Sequence, residues 1–324
     1  MTVPARLMLL PARAACVRPE PGCQFSKFPV SPPFVMLEIL WYLLFPLTAY
    51  PACQLPPVSE PFDLTLAVYT PEDSAQVVHL LAQDPGPNDV LFYARSFLGK
   101  PYVASTLEVC DPERLVVNLQ QFDCTTLVET VYALCATKRS GQYSFEAFCS
   151  NLEQLRYFSG KMNGYLSRLH YFTWWMHDNL DKNLFVEVSD SIHFTAPIRV
   201  ENHYMSSHPE KYKYLRAHPE WVDSIKALEE CFNGPDGFYL PAALTKLSRK
   251  ELPCIHDGDL IALVTKKDGL DYSHLGIAVW GQDNKLHLLN ASSLHHKVVS
   301  EPKTLYTYLT EHPSSVGIRL LRLR

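Results

Sequence analysis

The stretch NLQQFDCTTLVETVYAL, residues 118–134, sets one cysteine, Cys124, between an aspartate and two threonines where an apolar-periodic segment begins. Leu127, Val128, Val131, Leu134 and Cys135 recur at helical spacing, which predicts a helix packed on a core, with Asp123 or Thr125 at its start. Cys124 then falls in the first turn. Unpaired backbone N–H groups and the helix dipole favour negative charge there, and the thiolate is the reactive form of cysteine. The same N–H groups can hold the oxyanion of a tetrahedral intermediate. The plain alternative is a small core side chain, a common fate of free cysteines.

A thiol nucleophile needs a base, and the base needs an orienting group. The candidate base is His274 in DYSHLGIAVW, at the opening of a predicted strand. The candidate orienting group is Asn290 in LHLLNASS, on the next strand of a hairpin, where a cross-strand neighbour can reach a ring nitrogen. His287 is the alternative, but it lies an odd number of residues from Asn290 and so faces the other side of a regular strand. As a plain reading, His274 and Asn290 are ordinary strand-end residues.

Outward from these positions, PEDSAQVVHLLAQ predicts a short helix stopped by Asp84-Pro85-Gly86-Pro87. NDVLFYARSFLGKPY predicts another, capped by Asn88 or Asp89 and ended by Gly99 and Pro101. A region from Gly141 to about Leu252 is rich in Tyr, Trp and His, and much of it reads as helical. GDLIALVT, SHLGIAVW, KLHLLNASS and GIRLLRLR are short apolar or alternating runs separated by turn-like KKDGLDY and GQDNK. They predict an antiparallel sheet with hairpins. Helices first and strands later give an α+β domain rather than a βαβ one. The order Cys, His, Asn on helix then strands is the papain-like arrangement.

The chain has 324 residues, 47% of them hydrophobic, and a formal net charge of -5 with mixed signs. Nothing in this balance favours a nucleic-acid partner. Residues 1–53 read as a leader: basic residues among prolines, then an apolar run after Glu38 that is shorter than the ~20 residues of a membrane span and suits a signal-peptide core. Met36 is an alternative start. Export to the periplasm or cell envelope is expected, with no transmembrane span in the mature protein and a lipoprotein cleavage site at Cys53 as a second reading. Residues 54–87 read as a linker and short helix, and 88–324 as the catalytic domain, with an insertion at about 141–252. Nine cysteines form no C-x-x-C pair, and His193, His203, His208 and His218 match no ligand spacing, so neither a metal nor another cofactor is expected.

The strings LGKPYVASTLE, FDCTTLVET, GDLIALVT, SHLGIAVW and LHLLNASS together resemble the NlpC-type papain-like cell-wall cysteine peptidases. NLQQFDCTTLVE, YLSRLHYFTWWMHDN, MSSHPEKYKYL, GLDYSHLGIA and the closing GIRLLRL make the chain more similar to the N-acetylmuramoyl-L-alanine amidase-like branch of that group. The resemblance covers roughly residues 88–324. It implies a papain-like fold with Cys124 as nucleophile, His274 as base and Asn290 as third member, where many relatives carry His. An amide oxygen can still accept from the imidazole N–H and fix its tautomer. It also implies that Tyr102 lies beside the thiol, and that Asp123 and Ser273 line the cleft and hold a substrate amine or amide. The implied substrate is peptidoglycan or muropeptides, cut at the amide joining N-acetylmuramic acid to L-alanine. The alternatives are an endopeptidase cutting between D-glutamate and the diamino acid, and a non-catalytic wall-binding module.

In the insertion, SRLHYFTWWMHDN reads either as core or as a cap over the cleft. As a cap, Arg168 pairs a substrate carboxylate, His170 joins it, and Tyr171, Trp174 and Trp175 offer flat faces to a sugar ring. A monomer is expected.

Overall fold

A computed structural model describes residues 61–324. The leader, its apolar run, Met36, Cys53 and most of the expected linker lie outside the described residues. Nine α-helices lie within them: α1 Pro71–Ala82, α2 Asp89–Ser96, α3 Cys124–Arg139, α4 Phe145–Arg156, α5 Phe172–Asp181, α6 Tyr204–Ser207, α7 Lys213–Ala217, α8 Val222–Phe232 and α9 Leu305–Glu311. The strands are β1 Ala67–Val68, β2 Leu115–Val116, β3 Phe185–Val188, β4 Ala196–Val200, β5 Gly234–Pro241, β6 Leu260–Thr265, β7 Tyr272–Trp280, β8 Leu286–Ser292, β9 Lys297–Ser300 and β10 Ser315–Leu323.

The main sheet runs β4-β5-β10-β6-β7-β8-β9, and β3 pairs with β10 beside β5. Every pairing in it is antiparallel, so the mixed α and β content with an antiparallel sheet agrees with the sequence reading. β6 has an unbroken apolar run because both its faces are covered. Leu260, Ala262 and Val264 pack into the core shared with α2 to α5, whereas Ile261 and Leu263 pack into a second core with Leu252, Ile255 and α9. Gly276 on β7 permits the close approach of β8: a Cβ there would lie 2.5 Å from the Leu288 side chain.

α3 is the central helix. Its N-cap is Asp123, whose carboxylate accepts from the Thr126 N–H at 2.8 Å while the Thr126 hydroxyl accepts from the Asp123 N–H at 2.9 Å. Neither Gly nor Pro interrupts the helix, and Gly141 at φ +75° follows its C-cap. Its residues from Thr126 to Thr137 are all buried, between α2 and α4 and against β7 and β8. The apolar stripe read in the sequence is therefore one side of a helix that is covered all round.

The region 141–252 holds α4 to α8, in line with the helical expectation, but it is not helical throughout. It supplies β3, β4 and β5, which widen the sheet beyond β10. The run HPEKYKYLRAHPEW, residues 208–221, is interrupted. Pro209 and Pro219 each open a 3-10 turn, and only Lys213–Ala217 between them is α-helical. A proline lacks the N–H that a continuous helix would need at that point.

Candidate active site

A cavity of about 340 Å³ opens at the start of α3. Asp123 and Cys124 from the helix line it, with Ser273, His274 and Leu275 from β7, and Arg168, His170 and Tyr171 from the loop into α5.

Cys124 is the first residue of α3 and is part-buried. Its backbone N–H and that of Leu275 approach the thiol and lower its pKa, and the Thr125 hydroxyl adds a contact at 4.0 Å. Burial outweighs them, the Asp123 carboxylate adds to it, and the thiol is pushed up to about 11. The helix start alone would favour a thiolate; burial beside a carboxylate opposes it. Desolvation of a charged sulfur, next to a carboxylate, exceeds what a few N–H dipoles return.

His274 and Asn290 sit on neighbouring strands. The β7–β8 register pairs Ile277 with Leu289, and its continuation sets Asn290 beside Gly276, on the diagonal from His274. The Asn290 Oδ1 accepts from His274 Nε2 at 3.0 Å, so the proton of the neutral ring sits on Nε2 and Nδ1 is the atom left to accept another. Burial lowers the His274 pKa; the bond to Asn290 and the Asp123 charge oppose it. Asn290 is fully buried, and its Nδ2 has no partner among the described residues. His287 points elsewhere, to Asp283 at 3.1 Å and the Glu301 carbonyl at 3.3 Å.

Tyr102 is not among the residues that line the cavity; its N–H donates to the His296 carbonyl at 3.0 Å and it bridges to Phe122. Burial, then the charges of Cys124 and Asp123, raise its phenol pKa. Asp123 lines the cavity, but its Oδ1 is engaged in capping Thr126. Ser273 also lines it, with its Oγ 3.1 Å from Ser315 Oγ.

The loop into α5 divides between wall and core. Arg168 is buried and lines the cavity. His170 lines it too; its Nε2–H donates to the Tyr165 carbonyl at 2.9 Å, and burial, with Arg168 beside it, holds its pKa well below the ordinary value. Tyr171 contributes to the wall, but its hydroxyl donates to Glu229 Oε1 at 2.7 Å and accepts from the Met205 N–H at 2.9 Å. Trp174 and Trp175 are 0% and 2% exposed and do not reach the cavity, so neither offers a face to a sugar. They are core: Trp174 packs on Phe158 and Phe232, and Trp175 on Phe172 and Phe185.

Three features escaped the sequence reading. Glu129 and Arg156 form a buried ion pair at 2.7 Å in the cavity wall. The signal was available, since Glu129 is the only acidic residue in α3. Asp271 lies in the wall and ties β7 to α5, accepting from the Thr173 N–H at 2.7 Å and serving as the cap that Tyr171 cannot provide. Nothing local marks that role. The N–H of Leu275 at the thiol comes from strand placement alone. Among the described residues, no cluster of three or more His, Cys, Asp or Glu is arranged to hold a metal ion, and no helix is long and apolar enough to cross a membrane. His193, His203 and His218 instead face Asp190, Asp268 and Asp111.

The chain is similar to known proteins over most of its length. A family model described as AmiA-like, N-acetylmuramoyl-L-alanine amidase-like, matches residues 93–318. No curated protein matches. Among solved structures, an N-acetylmuramoyl-L-alanine amidase from Bacteroides uniformis is 42% identical with a TM-score of 0.68, the match covering 73% of this chain and 98% of that one. A protein from Bacteroides fragilis, provisionally named a xylanase, is 38% identical with a TM-score of 0.67, covering 71% and 99%. A Legionella pneumophila protein at 22% identity and a TM-score of 0.61, covering 78% and 94%, shares the fold. The chain belongs to the AmiA-like family, the N-acetylmuramoyl-L-alanine amidase-like proteins.

Proposed function

We propose that this chain is a cysteine amidase of papain-like, NlpC-type architecture that hydrolyses the bond between N-acetylmuramic acid and L-alanine in peptidoglycan fragments. The observation that carries the reading is one cavity lined by both a helix-start thiol and an imidazole whose far nitrogen is bonded to a buried amide. The family membership supplies the substrate class. Export of the protein is part of the proposal and rests on the apolar run within residues 1–53.

In this mechanism Cys124 Sγ attacks the lactyl carbonyl carbon as His274 Nδ1 takes the thiol proton. A resting neutral pair suits this order, because a thiol held near 11 loses its proton only as the new bond forms. The developing oxyanion draws on backbone N–H groups at the start of α3. His274 then returns the proton to the nitrogen of L-alanine, which leaves. Water, activated by the same imidazole, hydrolyses the thioester and regenerates the thiol. Asn290 holds the ring in the tautomer with Nδ1 bare. In this reading Tyr102 assists the oxyanion or the substrate.

The test is mass spectrometry of defined muropeptides incubated with the full chain and with its Cys124→Ala variant. Release of an intact stem peptide beginning with L-alanine, absent in the variant, is the expected result. Cleavage inside the stem would move the assignment to an endopeptidase, and binding without cleavage to a wall-binding module.

A further inference from the structure

Two arginines in different states, Arg156 and Arg168, line the cavity. Arg156 is spent: its Nε donates to Glu129 at 2.7 Å and its Nη1 to the Val116 carbonyl at 2.7 Å. Arg168 is 6% exposed, yet its guanidinium donates no hydrogen bond among the described residues, and its Nε is buried without an acceptor. Its nearest carboxylates stand back, Glu113 at 3.5 Å and Glu108 at 4.0 Å. The Tyr165 ring, 4.9 Å away, covers one face of the planar group. Glu113 is itself incompletely satisfied. Its Oε1 accepts from the Tyr157 hydroxyl at 2.9 Å, while its Oε2 is buried with no partner.

A buried guanidinium without hydrogen bonds is costly, because its five donors were solvated in the unfolded chain. Here two flanking acids hold its charge in place and leave its fork unfilled. A planar fork lining a cavity matches a carboxylate that brings two oxygens at once. We infer that Arg168 is a specificity-determining residue that receives a free carboxylate of the substrate's stem peptide, and that Glu113 behind it competes for the same guanidinium. This rests on the amidase reading for the identity of the peptide. The group in question is the free α-carboxylate of the second stem residue, D-glutamate; the amidated stem carries a carboxamide in its place. The carboxamide cannot replace the carboxylate, since it brings one acceptor, no charge and an N–H₂ group facing N–H donors.

The experiment compares N-acetylmuramoyl-L-alanyl-γ-D-glutamyl-L-lysinamide with its D-isoglutaminyl counterpart, so that the γ-carboxyl is in a peptide bond in both and only the α-carboxylate differs. Turnover is measured with the full chain, and binding by calorimetry with its Cys124→Ala variant. The acid should be favoured in kcat/KM and in affinity by roughly ten- to a hundredfold, the range of a charge-assisted hydrogen-bonded contact. Arg168→Gln should abolish that preference, chiefly through KM. Glu113→Gln keeps the Tyr157 acceptor, removes the competing charge and should enlarge the preference. Equal binding of the two compounds to Cys124→Ala would overturn the inference, as would a preference that Glu113→Gln decreases. Absence of turnover with the acid still preferred in binding would refute the amidase reading and leave the carboxylate site standing.

Discussion

Replacing Asn290 with alanine separates the chemical role of the amide from its structural one. The change removes the acceptor of His274 Nε2–H at 3.0 Å inside a fully buried position. An orphaned buried donor costs about 1–3 kcal/mol. Part of that is offset, because the variant also loses Nδ2, which has no partner among the described residues. Against the roughly 5–15 kcal/mol that holds a domain together, the fold survives. The kinetic loss should be larger in proportion. A positioned general base contributes about 10²–10⁴-fold, and loss of tautomer control should forfeit roughly 10- to 100-fold of it in kcat. The pH profile gives a second, independent readout. Burial lowers the His274 pKa and the Asn290 bond raises it, so Asn290→Ala should move the acid limb of kcat/KM to lower pH. Asn290→Asp places a negative charge at the ring and should move that limb upward. The assays are steady-state release of stem peptide across pH and a denaturant midpoint on the same preparations. A folded Asn290→Ala protein with unchanged kcat and an unmoved acid limb would refute the role given to Asn290.

Two further expectations concern the thiol and the aromatic core. Because the Cys124 thiol is held up to about 11, iodoacetamide should label it slowly at pH 7 in the free enzyme and faster as the pH climbs toward that value; rapid labelling that is flat from pH 6 upward would reveal a preformed thiolate and refute the neutral resting pair. Trp174→Ala should cost about 3–5 kcal/mol in chemical denaturation, because the ring is fully buried, while KM of the protein that remains folded stays unchanged; a selective rise in KM with little loss of stability would restore the sugar-platform reading.

Much of the candidate site was legible because its signals are local. Asp123 announces a helix start, and Cys124 follows it directly. The side-chain period of two separates His287 from Asn290 before any coordinates are known. The apolar runs 260–265, 272–280 and 286–292 read as strands because both sheet faces are covered. The region 141–252 was harder. Its strands β3 and β4 are short, β3 and β5 pair with β10 far along the chain and β4 pairs with β5, so the pairing leaves no mark within a window of neighbouring residues. Aromatic richness in YFTWWMHDN could not distinguish a sugar platform from core, since both demand the same side chains.

The amino-acid sequence by itself therefore determined the helix that carries Cys124, the strands that carry His274 and Asn290, and the face each occupies, since capping and periodicity act over a few residues. Only the tertiary structure decided how the thiol's surroundings weigh on its pKa, the burial of Trp174 and Trp175, and the placing of Arg168 between Glu108 and Glu113. Those outcomes depend on desolvation and on charges brought together from distant parts of the chain, and neither exists until the chain has folded.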